Sequence, residues 1–324
     1  MRYLVTGGAG FIGSNLAAHL AERGEQVRIL DNFSSGKREN IETLPDSVEV
    51  IDGDLRDYWT VIRAVQRVDY VMHQAALPSV PRSVKNPLTS NAVNVTGTLN
   101  ILEASRQAGV KKLVFASSSS VYGESEELPK HEDMVPHPLS PYAVTKLTCE
   151  HYCRVYWELY RFPTVSLRYF NIFGPNQDPH SEYAAVIPRF ITRLLRGKAP
   201  IVFGDGEQSR DFTYIDNCVQ ANILAAANDD MGGTHFNVAC GGQFTLNDLL
   251  EKLRSIIGVD LEPQYDPPRP GDIRHSYAAT NRLGRHGYKP TVGFEEGLRR
   301  TVEFFRRRLK VNRHLSADRQ ARLK

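Results

Sequence analysis

Tyr142 and Lys146 are the residues of this chain whose types and spacing first suggest acid–base chemistry. They stand four residues apart on a predicted helix, so both side chains occupy one helix face. A neighbouring ammonium stabilises a phenolate, and the pair therefore predicts a Tyr142 pKa below the ordinary value of about 10. Such a tyrosine could act as a general base near neutral pH. Because this spacing is common on helix surfaces, the prediction depends on the surrounding elements.

A serine-rich segment supplies further hydroxyl groups. Residues 113–116 form a predicted apolar strand, and residues 117–123 continue it with four consecutive serines. Reactive groups collect at the carboxyl ends of strands in an open α/β sheet. We therefore expect Ser118 and its neighbours at the same sheet edge as Tyr142.

The chain begins with a strand–turn–helix–strand pattern typical of dinucleotide binding. Residues 3–5 and 26–30 are the predicted strands. The turn between them contains Gly7, Gly8, Gly10 and Gly13. Glycines allow a tight turn and close approach of the backbone to a pyrophosphate, which the following helix N-terminus attracts. The second strand ends on Asp31, which can accept hydrogen bonds from both ribose hydroxyls and repel a 2′-phosphate. The pattern predicts NAD rather than NADP, and the positive nicotinamide ring of NAD would favour a Tyr142 phenolate together with the Lys146 ammonium.

Apolar runs alternate with helical patterns through the first half of the chain. Further predicted strands are 48–51, 70–73, 113–117 and 164–168. Predicted helices include 91–108 and 142–160. This alternation predicts an α/β fold with a doubly wound parallel Rossmann sheet over residues 1–170. After residue 170 the strands are short and Pro, Gly and Asp are frequent, which predicts a smaller mixed α/β substrate domain at 171–310. We expect its segments to cross back onto the first domain.

Composition excludes several classes of partner. The net charge is +3, but residues 306–324 carry eight Lys or Arg and one Asp, so the rest of the chain is net acidic and predicts no nucleic acid partner. The basic tail 311–324 lacks an apolar period and is expected to be disordered. No apolar run is long enough for a bilayer, and a strand begins at once, so we expect neither membrane association nor a signal peptide. Four cysteines without metal-ligand spacing indicate reduced thiols, no metal and a cytoplasmic protein.

Several motifs together resemble the extended short-chain dehydrogenase/reductase superfamily, and more narrowly its UDP-hexose 4-epimerases. They are Thr6–Gly13, the acidic end of the second strand, residues 73–76, Asn94–Thr98, Ser117–Gly123, Tyr142–Lys146 and Arg168–Asn171. The resemblance spans roughly residues 1–305 and implies NAD as a tightly held cofactor. It also implies a homodimer through helices 91–108 and 142–160, a four-helix interface.

The resemblance assigns residues to each ligand. Those implied for NAD are Gly7, Gly10, Phe11, Ile12, Gly13, Asp31, Asn32, Asp54, Leu55, Ala75, Asn94, Tyr142, Lys146 and Tyr169. Those implied for the nucleotide sugar are Ser79, Ser118, Ser119, Tyr142, Asn171, Gln177, Ala185, Val186, Arg210, Arg269, Asp272 and Ser276. By the same resemblance Ser118, Tyr142 and Lys146 are catalytic. Arg210 and Arg269 clamp the diphosphate, a role that suits planar guanidinium groups.

The residues after Ser118 favour one reaction within the superfamily. Resembling dehydratases carry Asp and Glu there, and resembling decarboxylases carry a Glu at the second position, whereas this chain has Ser119 and Ser120. Epimerisation needs no carboxylate, because Tyr142 can serve as the base. The C4 hydroxyl is oxidised to a transient ketone as hydride passes to NAD, the keto sugar rotates in the site, and hydride returns to its other face. The alternatives are another nucleotide-sugar enzyme of the superfamily, a reductase or a decarboxylase, and an NAD-binding regulator without turnover.

Three positions bear on the hexose. Ser276 stands where galactose-specific relatives carry a bulky Tyr, so it leaves room for an N-acetyl group. Gln177 and Ser79 match polar residues that line the acetamide region of relatives acting on N-acetylhexosamines, although Pro78 departs from that subgroup's glycine. These residues predict reversible conversion of UDP-GlcNAc and UDP-GalNAc. UDP-Glc and UDP-Gal remain possible substrates, because one pocket residue changes selectivity by only about 1–3 kcal/mol.

Overall fold

The strands of this computed structural model, which describes residues 1–179, 185–268 and 274–321, follow the apolar runs of the sequence. They are β1 (Arg2–Thr6), β2 (Gln26–Asp31), β3 (Glu49–Asp52), β4 (Tyr70–His73), β5 (Lys112–Ser118), β6 (Thr164–Tyr169), β7 (Ile172–Phe173), β8 (Ile201–Phe203), β9 (Ser209–Arg210), β10 (Thr213–Tyr214), β11 (Thr234–Val238), β12 (Phe244–Thr245), β13 (Gln264–Asp266) and β14 (His275–Ser276).

The helices occupy the segments between these strands. They are α1 (Phe11–Glu22), α2 (Tyr58–Ala64), α3 (Val80–Lys85), α4 (Pro87–Asn91), α5 (Gly97–Gln107), α6 (Pro141–Tyr160), α7 (Val186–Leu195), α8 (Ile215–Ala227), α9 (Leu246–Ile257), α10 (Asn281–Gly284) and α11 (Phe294–Ala321). A π-helical turn at Ala92–Thr96 joins α4 to α5. Among the described helices, none combines the length and apolar character needed to cross a bilayer.

Seven strands form one parallel sheet in the order β11-β6-β5-β4-β1-β2-β3. The chain winds outward from β1 to β3, returns beside β1 as β4, and then winds the other way. This confirms the doubly wound Rossmann architecture. Ligands of such sheets bind at the carboxyl ends of the strands where the winding reverses, here between β1 and β4.

Alternating side chains along each strand bury both faces of the sheet. Val5 packs with Leu16 and Leu20 of α1 in one core cluster, whereas the preceding Leu4 packs with Ile101 and Leu102 of α5 in the other. A period of two sends successive side chains to opposite faces, so helices are needed on both sides. The result is a three-layer arrangement whose carboxyl edge stays open.

The second half of the chain contributes to the central sheet as well as to smaller ones. β11 pairs with β6 over residues 234–238, and α8 packs on α1 and on β5 and β6. The other short strands form three small sheets, β7–β10, β8–β13 and β12–β9–β14. The chain therefore returns to the first unit from the second half, while the domain boundary at residue 170 stays a prediction.

The last helix is longer than the sequence predicts. α11 ends at Ala321, so its backbone includes most of the segment for which disorder is expected. Its first part is anchored by Phe294, Leu298, Val302 and Phe305 in the larger core cluster. Side chains are described as far as residue 310.

Candidate active site

The glycine turn between β1 and α1 lies against the end of β4. Gly7 has a φ of +68°, and a Cβ there would lie 2.7 Å from the Ala75 Cα. A Cβ on Gly13 would lie 2.2 Å from the Gly7 carbonyl oxygen. Neither position accepts a side chain, and Gly10 directly precedes the first residue of α1. The turn therefore presents bare backbone and a helix N-terminus to the carboxyl edge, as pyrophosphate binding requires.

Asp31 ends β2 beside this turn. Its carboxylate accepts hydrogen bonds from the backbone N–H groups of Ala9 (2.9 Å) and Phe33 (2.8 Å). Burial raises the pKa of Asp31 above its ordinary value, while the two N–H groups act in the opposite direction. A Cβ on Gly36 would lie 2.8 Å from both carboxylate oxygens, so Gly36 lets the next loop approach the carboxylate closely.

A cavity of about 730 Å³ extends along the carboxyl edge from this turn to α6. It brings together thirteen of the fourteen residues predicted to bind NAD. They are Gly7, Gly10, Phe11, Ile12, Gly13, Asp31, Asn32, Asp54, Leu55, Ala75, Tyr142, Lys146 and Tyr169. Ser79, predicted for the substrate, lines the same cavity.

Asn94 is the predicted cofactor residue that the structure does not place on the cavity wall. Its amide accepts a hydrogen bond from the Leu77 N–H (2.8 Å) and donates one to the Thr145 hydroxyl (3.0 Å). The side chain is 2% exposed. Asn94 thus connects the Leu77 segment, which lines the cavity, to Thr145 of α6.

Tyr142 and Lys146 line the other end of the cavity, whereas the predicted Ser118 lies beside Tyr142 and not on the cavity wall. Ser140 caps α6 and places Tyr142 in the first turn. Ser118, which terminates β5, lies close enough to the Tyr142 phenol to act on its pKa. The Lys146 ammonium donates to the Ala116 carbonyl at 2.7 Å and lies 5.9 Å from the centre of the Tyr142 ring. The strand end and the helix therefore assemble the predicted hydroxyl–ammonium group.

In the chain without NAD, the pKa of Tyr142 is raised rather than lowered. Burial raises it to about 12, although Ser118 acts to lower it. Lys146 donates to a carbonyl rather than to the phenol, so its charge does not offset this burial. Burial also lowers the pKa of Lys146 to about 8. A phenolate here requires a further positive charge, which the sequence argument had placed in the nicotinamide ring.

His73, at the end of β4, is a core residue. Its ring nitrogens are hydrogen-bonded to the hydroxyls of Thr6 (2.7 Å) and Thr98 (2.9 Å). Burial, and secondarily the charge of Lys146, lower its pKa to about 3. A neutral, fully partnered imidazole has a packing role.

A second cavity of about 260 Å³ lies among the shorter elements of the second half. It brings together the predicted substrate residues Asn171, Ala185, Val186 and Arg210. Sequence reasoning missed several residues of its lining, among them Arg189, Phe190, Phe203 and Gln208. The amphipathic pattern of α7, which supplies Arg189 and Phe190, was the signal that could have found them.

The remaining predicted substrate residues lie around these cavities. Ser276 pairs with Arg210 across β14 and β9 and is half-buried. The Gln177 amide donates to the Ile172 carbonyl at 3.3 Å. Ser119 follows Ser118 in a single 3₁₀ turn. Arg269 and Asp272 lie outside the described residues.

The loop after Asp31 contributes cofactor-cavity residues that the sequence analysis missed. It lines the cavity with Phe33, Ser34, Ser35, Gly36, Lys37 and Asn40. Arg82, Asn176 and Asp178 are among the lining residues from elsewhere in the chain. A run of small residues directly after the acidic strand end was the available signal. The described residues hold no group of three His, Cys, Asp or Glu side chains suited to a metal ion.

Comparison with known proteins agrees with this geometry. The model of the NAD dependent epimerase/dehydratase family matches residues 3–239. The chain belongs to this family. The UDP-glucose 4-epimerase of Mycolicibacterium smegmatis is 40% identical over 315 residues, covering 94% of this chain and 99% of that protein. A UDP-N-acetyl-alpha-D-glucosaminuronate decarboxylase of Bacillus cytotoxicus is 34% identical over 323 residues, covering 94% and 98%.

Solved structures of family members superpose closely. The UDP-N-acetylglucosamine 4-epimerase of Methanobrevibacter ruminantium, in complex with UDP-N-acetylmuramic acid, gives a TM-score of 0.90 at 43% identity, covering 94% of this chain and 97% of that one. The Thermus thermophilus UDP-glucose 4-epimerase, in complex with NAD, gives 0.87 at 43% identity, covering 94% and 99%.

The cofactor of this family member is NAD, and its own residues fit that group. The glycine turn has no room for side chains at Gly7 and Gly13, and α1 directs its N-terminus at the space they leave. Asp31 offers a carboxylate at the distance along the chain where a ribose is recognised. A 2′-phosphate would meet that carboxylate's negative charge, which favours NAD over NADP.

Proposed function

We propose that this protein catalyses the reversible C4 epimerisation of a UDP-hexose, with NAD as a resident cofactor. The observation that carries the proposal is that Tyr142 and Lys146 line one end of the cavity that fits NAD, with Ser118 beside the Tyr142 phenol. Bound NAD supplies a reversible hydride acceptor. The protein's task is then to hold the sugar's C4 against it and to move one proton.

Tyr142 is proposed to move that proton. Tyr142 lines the cofactor cavity and Ser118 lies beside its phenol, so we propose that both reach one sugar oxygen. The Lys146 ammonium, fixed 2.7 Å from the Ala116 carbonyl, is placed to hold a ribose hydroxyl. With a pKa of about 8, Lys146 is mostly protonated at pH 7. Its charge and that of the nicotinamide ring together favour the phenolate that burial alone opposes.

The distribution of carboxylates supports epimerisation over elimination or decarboxylation. Among the described residues of the cofactor cavity, the carboxylates are those of Asp31, Asp54 and Asp178. Asp31 ends β2, which lies three strands from β5, or about 14 Å at the usual strand spacing. Ser119 and Ser120, the residues next to Ser118, have hydroxyl side chains, so they cannot supply the acid–base pair that elimination needs.

The second cavity is proposed to hold the UDP moiety. Arg210, on β9, contributes a guanidinium, and Arg189, on α7, contributes another. Planar guanidinium groups bind phosphate oxygens in pairs. Asn171 lies in the same lining, directly after the end of β6. We propose that Arg269 and Asp272 complete this site as the sequence analysis predicts.

UDP-GlcNAc and UDP-GalNAc are the proposed substrates, with UDP-Glc and UDP-Gal also accepted. Ser276 lies beside Arg210 and is small enough to leave space for an acetamide. The Gln177 side-chain oxygen is buried and lacks a hydrogen-bond partner among the described residues. An acetamide N–H could donate to that oxygen. A buried acceptor without a hydrogen bond otherwise destabilises the structure by about 1–3 kcal/mol.

The test is incubation of the purified protein with UDP-GlcNAc and, separately, UDP-Glc, without added cofactor. We expect the 4-epimers to appear by NMR and to approach an equilibrium mixture, because hydride is returned in each turnover. Consumption of added NADH in proportion to product would indicate a reductase. Conversion of a UDP-uronate with release of CO₂, without 4-epimers, would indicate a decarboxylase. No turnover of any UDP-sugar by the NAD-loaded protein would favour a regulator.

We also propose a cytoplasmic homodimer formed through α5 and α6. On α6, Val144 is 48% and Leu159 70% exposed, whereas Leu147, another candidate for the interface, packs against Val121 and Tyr122. Val84, on the neighbouring α3, is 63% exposed, so apolar surface continues beyond α6. Light scattering at micromolar concentration should give twice the mass of the chain, and Leu159→Asp should shift it towards a monomer. A monomeric wild-type mass would contradict the proposal.

A further inference from the structure

An ion pair crosses the rim of the cofactor cavity. The Lys37 ammonium lies 3.0 Å from an Asp178 carboxylate oxygen, and the two side chains are 38% and 34% exposed. Both residues line the cavity. Lys37 belongs to the loop after β2, and Asp178 to the segment after β7. The pair, here called the rim ion pair, therefore joins two distant parts of the chain over the same opening.

The Lys37 side of the pair has a rigid backbone. The Lys37 N–H donates to the Ala9 carbonyl at 2.9 Å, and the Asn40 side chain donates to the same oxygen at 2.9 Å. Ala9 itself donates to Asp31. The loop is thereby attached to the glycine turn and to the carboxylate proposed to recognise the ribose.

The Asp178 side is attached to α1, the helix that follows the glycine turn. Asn176 donates to the Ser14 hydroxyl at 3.0 Å, and the Asn15 side chain donates to the Pro175 carbonyl at 3.0 Å. Ser14 and Asn15 belong to the first turns of α1. Both anchors thus hold their segments beside the helix N-terminus proposed to receive the pyrophosphate, and the rim ion pair connects the anchors across it.

We propose that the rim ion pair retains NAD by closing the cavity over its adenosine–pyrophosphate part, so that cofactor release requires the pair to open. The proposal rests on the proposed function, because an epimerase that regenerates its cofactor in each turnover gains from slow NAD release. The same segment starts at Asn171, which lines the second cavity. One segment, residues 171–178, therefore contributes both to the second cavity and to the proposed retention of the cofactor.

If Lys37 acts on the pyrophosphate rather than through the ion pair, substitution of Asp178 should change the rate of NAD release in the opposite direction. If Lys37 only attracted the pyrophosphate, Asp178 would weaken that attraction, and Asp178→Asn would slow NAD release. If the pair itself closes the cavity, Lys37→Met and Asp178→Asn each accelerate release. Partly exposed ion pairs contribute up to about 1 kcal/mol, which predicts a roughly two- to fivefold faster release in each variant.

The experiment measures exchange of labelled NAD preloaded on the full-length protein, chased with excess unlabelled NAD at a temperature where wild-type release is measurable. The variants are Lys37→Met, Asp178→Asn and their combination. Lys111→Met is the matched control, because Lys111 lies 2.8 Å from Asp69 in a pair that is also partly exposed and does not line the cavity. We expect both single variants and the double variant to release NAD at similar, faster rates, and the control to behave as wild type.

Salt provides a second readout. The Debye length falls from about 10 Å at 0.1 M salt to about 3 Å at 1 M, so between these concentrations release from the wild type should accelerate more than release from either variant. Wild-type release rates in Lys37→Met, or slower release in Asp178→Asn, would overturn the proposal while leaving the epimerase assignment intact. A wild-type protein that cannot be loaded with NAD would instead overturn the assignment on which it rests.

Discussion

The two sides of the active site are held in place by different means. On the cofactor side, Gly7, Asp31 and Ser118 lie at or directly after the ends of parallel strands in one continuous sheet, so strand register fixes their positions. On the substrate side, Arg210 and Ser276 belong to two-residue strands. Their positions depend on individual side-chain hydrogen bonds. The cofactor side should therefore tolerate changes of condition that alter the substrate side.

Asp211 is the clearest example on the substrate side. Its buried carboxylate accepts hydrogen bonds from the backbone N–H groups of Cys240 (3.1 Å), Gly241 (2.9 Å) and Ala278 (3.4 Å). It thereby connects three separate segments next to Arg210. Burial nevertheless raises its pKa to about 6 despite these N–H groups. A single titratable group thus connects the segment of Arg210, which lines the second cavity, to residues 240–241 and to Ala278.

The largest expected effect comes from a substitution that removes the proposed base on the cofactor side and leaves the structure of that side intact. Tyr142→Phe removes the proposed base without touching the glycine turn, and general base catalysis contributes about 10²- to 10⁴-fold. We expect turnover of UDP-GlcNAc to fall by about 10³-fold with NAD still bound. NMR assays and the nucleotide content of the purified variant measure the two quantities. A rate near that of the wild type would refute the assigned mechanism.

The next effect tests whether strand register alone makes the cofactor site. Asp31→Ala removes acceptors for ribose hydroxyls, and hydrogen bonds to a charged group contribute about 1.5–3 kcal/mol. We expect NAD affinity to fall roughly 10- to 100-fold and the preference over NADP to relax. Asp31→Asn is the comparison variant, because it removes the charge but keeps one acceptor oxygen, for the N–H group of either Ala9 or Phe33. Unchanged cofactor preference in both variants would separate Asp31 from the ribose.

The third effect sharpens the contrast in stability. Asp211 has a folded-state pKa of about 6, above the unfolded value near 4, so the native state binds its proton more tightly. Its contribution to stability is present below the unfolded pKa and is lost as pH rises through 6. Between pH 4.5 and pH 7.5, the free energy of unfolding should fall by about 2 kcal/mol more in the wild type than in Asp211→Asn. Urea unfolding at the two pH values measures this. Parallel pH profiles would contradict the prediction.

The smallest expected effect tests substrate selectivity on the substrate side. Ser276→Tyr should fill the proposed acetamide space and lower UDP-GlcNAc turnover about tenfold or more, at least about 1.4 kcal/mol in the transition state. UDP-Glc turnover should persist, since a C2 hydroxyl needs less room. Loss of both activities would indicate misfolding. Unchanged UDP-GlcNAc turnover in the folded variant would remove Ser276 from the hexose pocket.

Local sequence patterns were sufficient for six of the seven strands of the central sheet and for the cofactor turn, but not for the place of β11 in that sheet. The predicted strand 70–73 matches β4, and the strands at 26–30 and 164–168 lie within β2 and β6. Their apolar runs and terminal glycines or acids are dictated by burial and by backbone geometry, which neighbouring residues determine. The Tyr142–Lys146 face followed from helix periodicity for the same reason.

Properties that depend on distant partners were not predictable in this way. The raised Tyr142 pKa reflects burial by the assembled fold. Asn94 lies off the cavity because Leu77 and Thr145 occupy its amide. The partnership of Lys37 with Asp178 joins segments that no local pattern connects. In each case the missing information was a tertiary contact.

The position of β11 bears on how the chain acquires its structure during synthesis. Its five residues complete the central sheet beside β6, yet they follow β6 by more than sixty residues. Until they emerge from the ribosome, β6 has an unpaired edge next to the buried side chains Val165 and Leu167. Pairings this distant form slowly, and open edges recruit other chains. The nascent first half should therefore be prone to aggregation, and truncation before residue 234 should yield insoluble protein rather than an independent nucleotide-binding module.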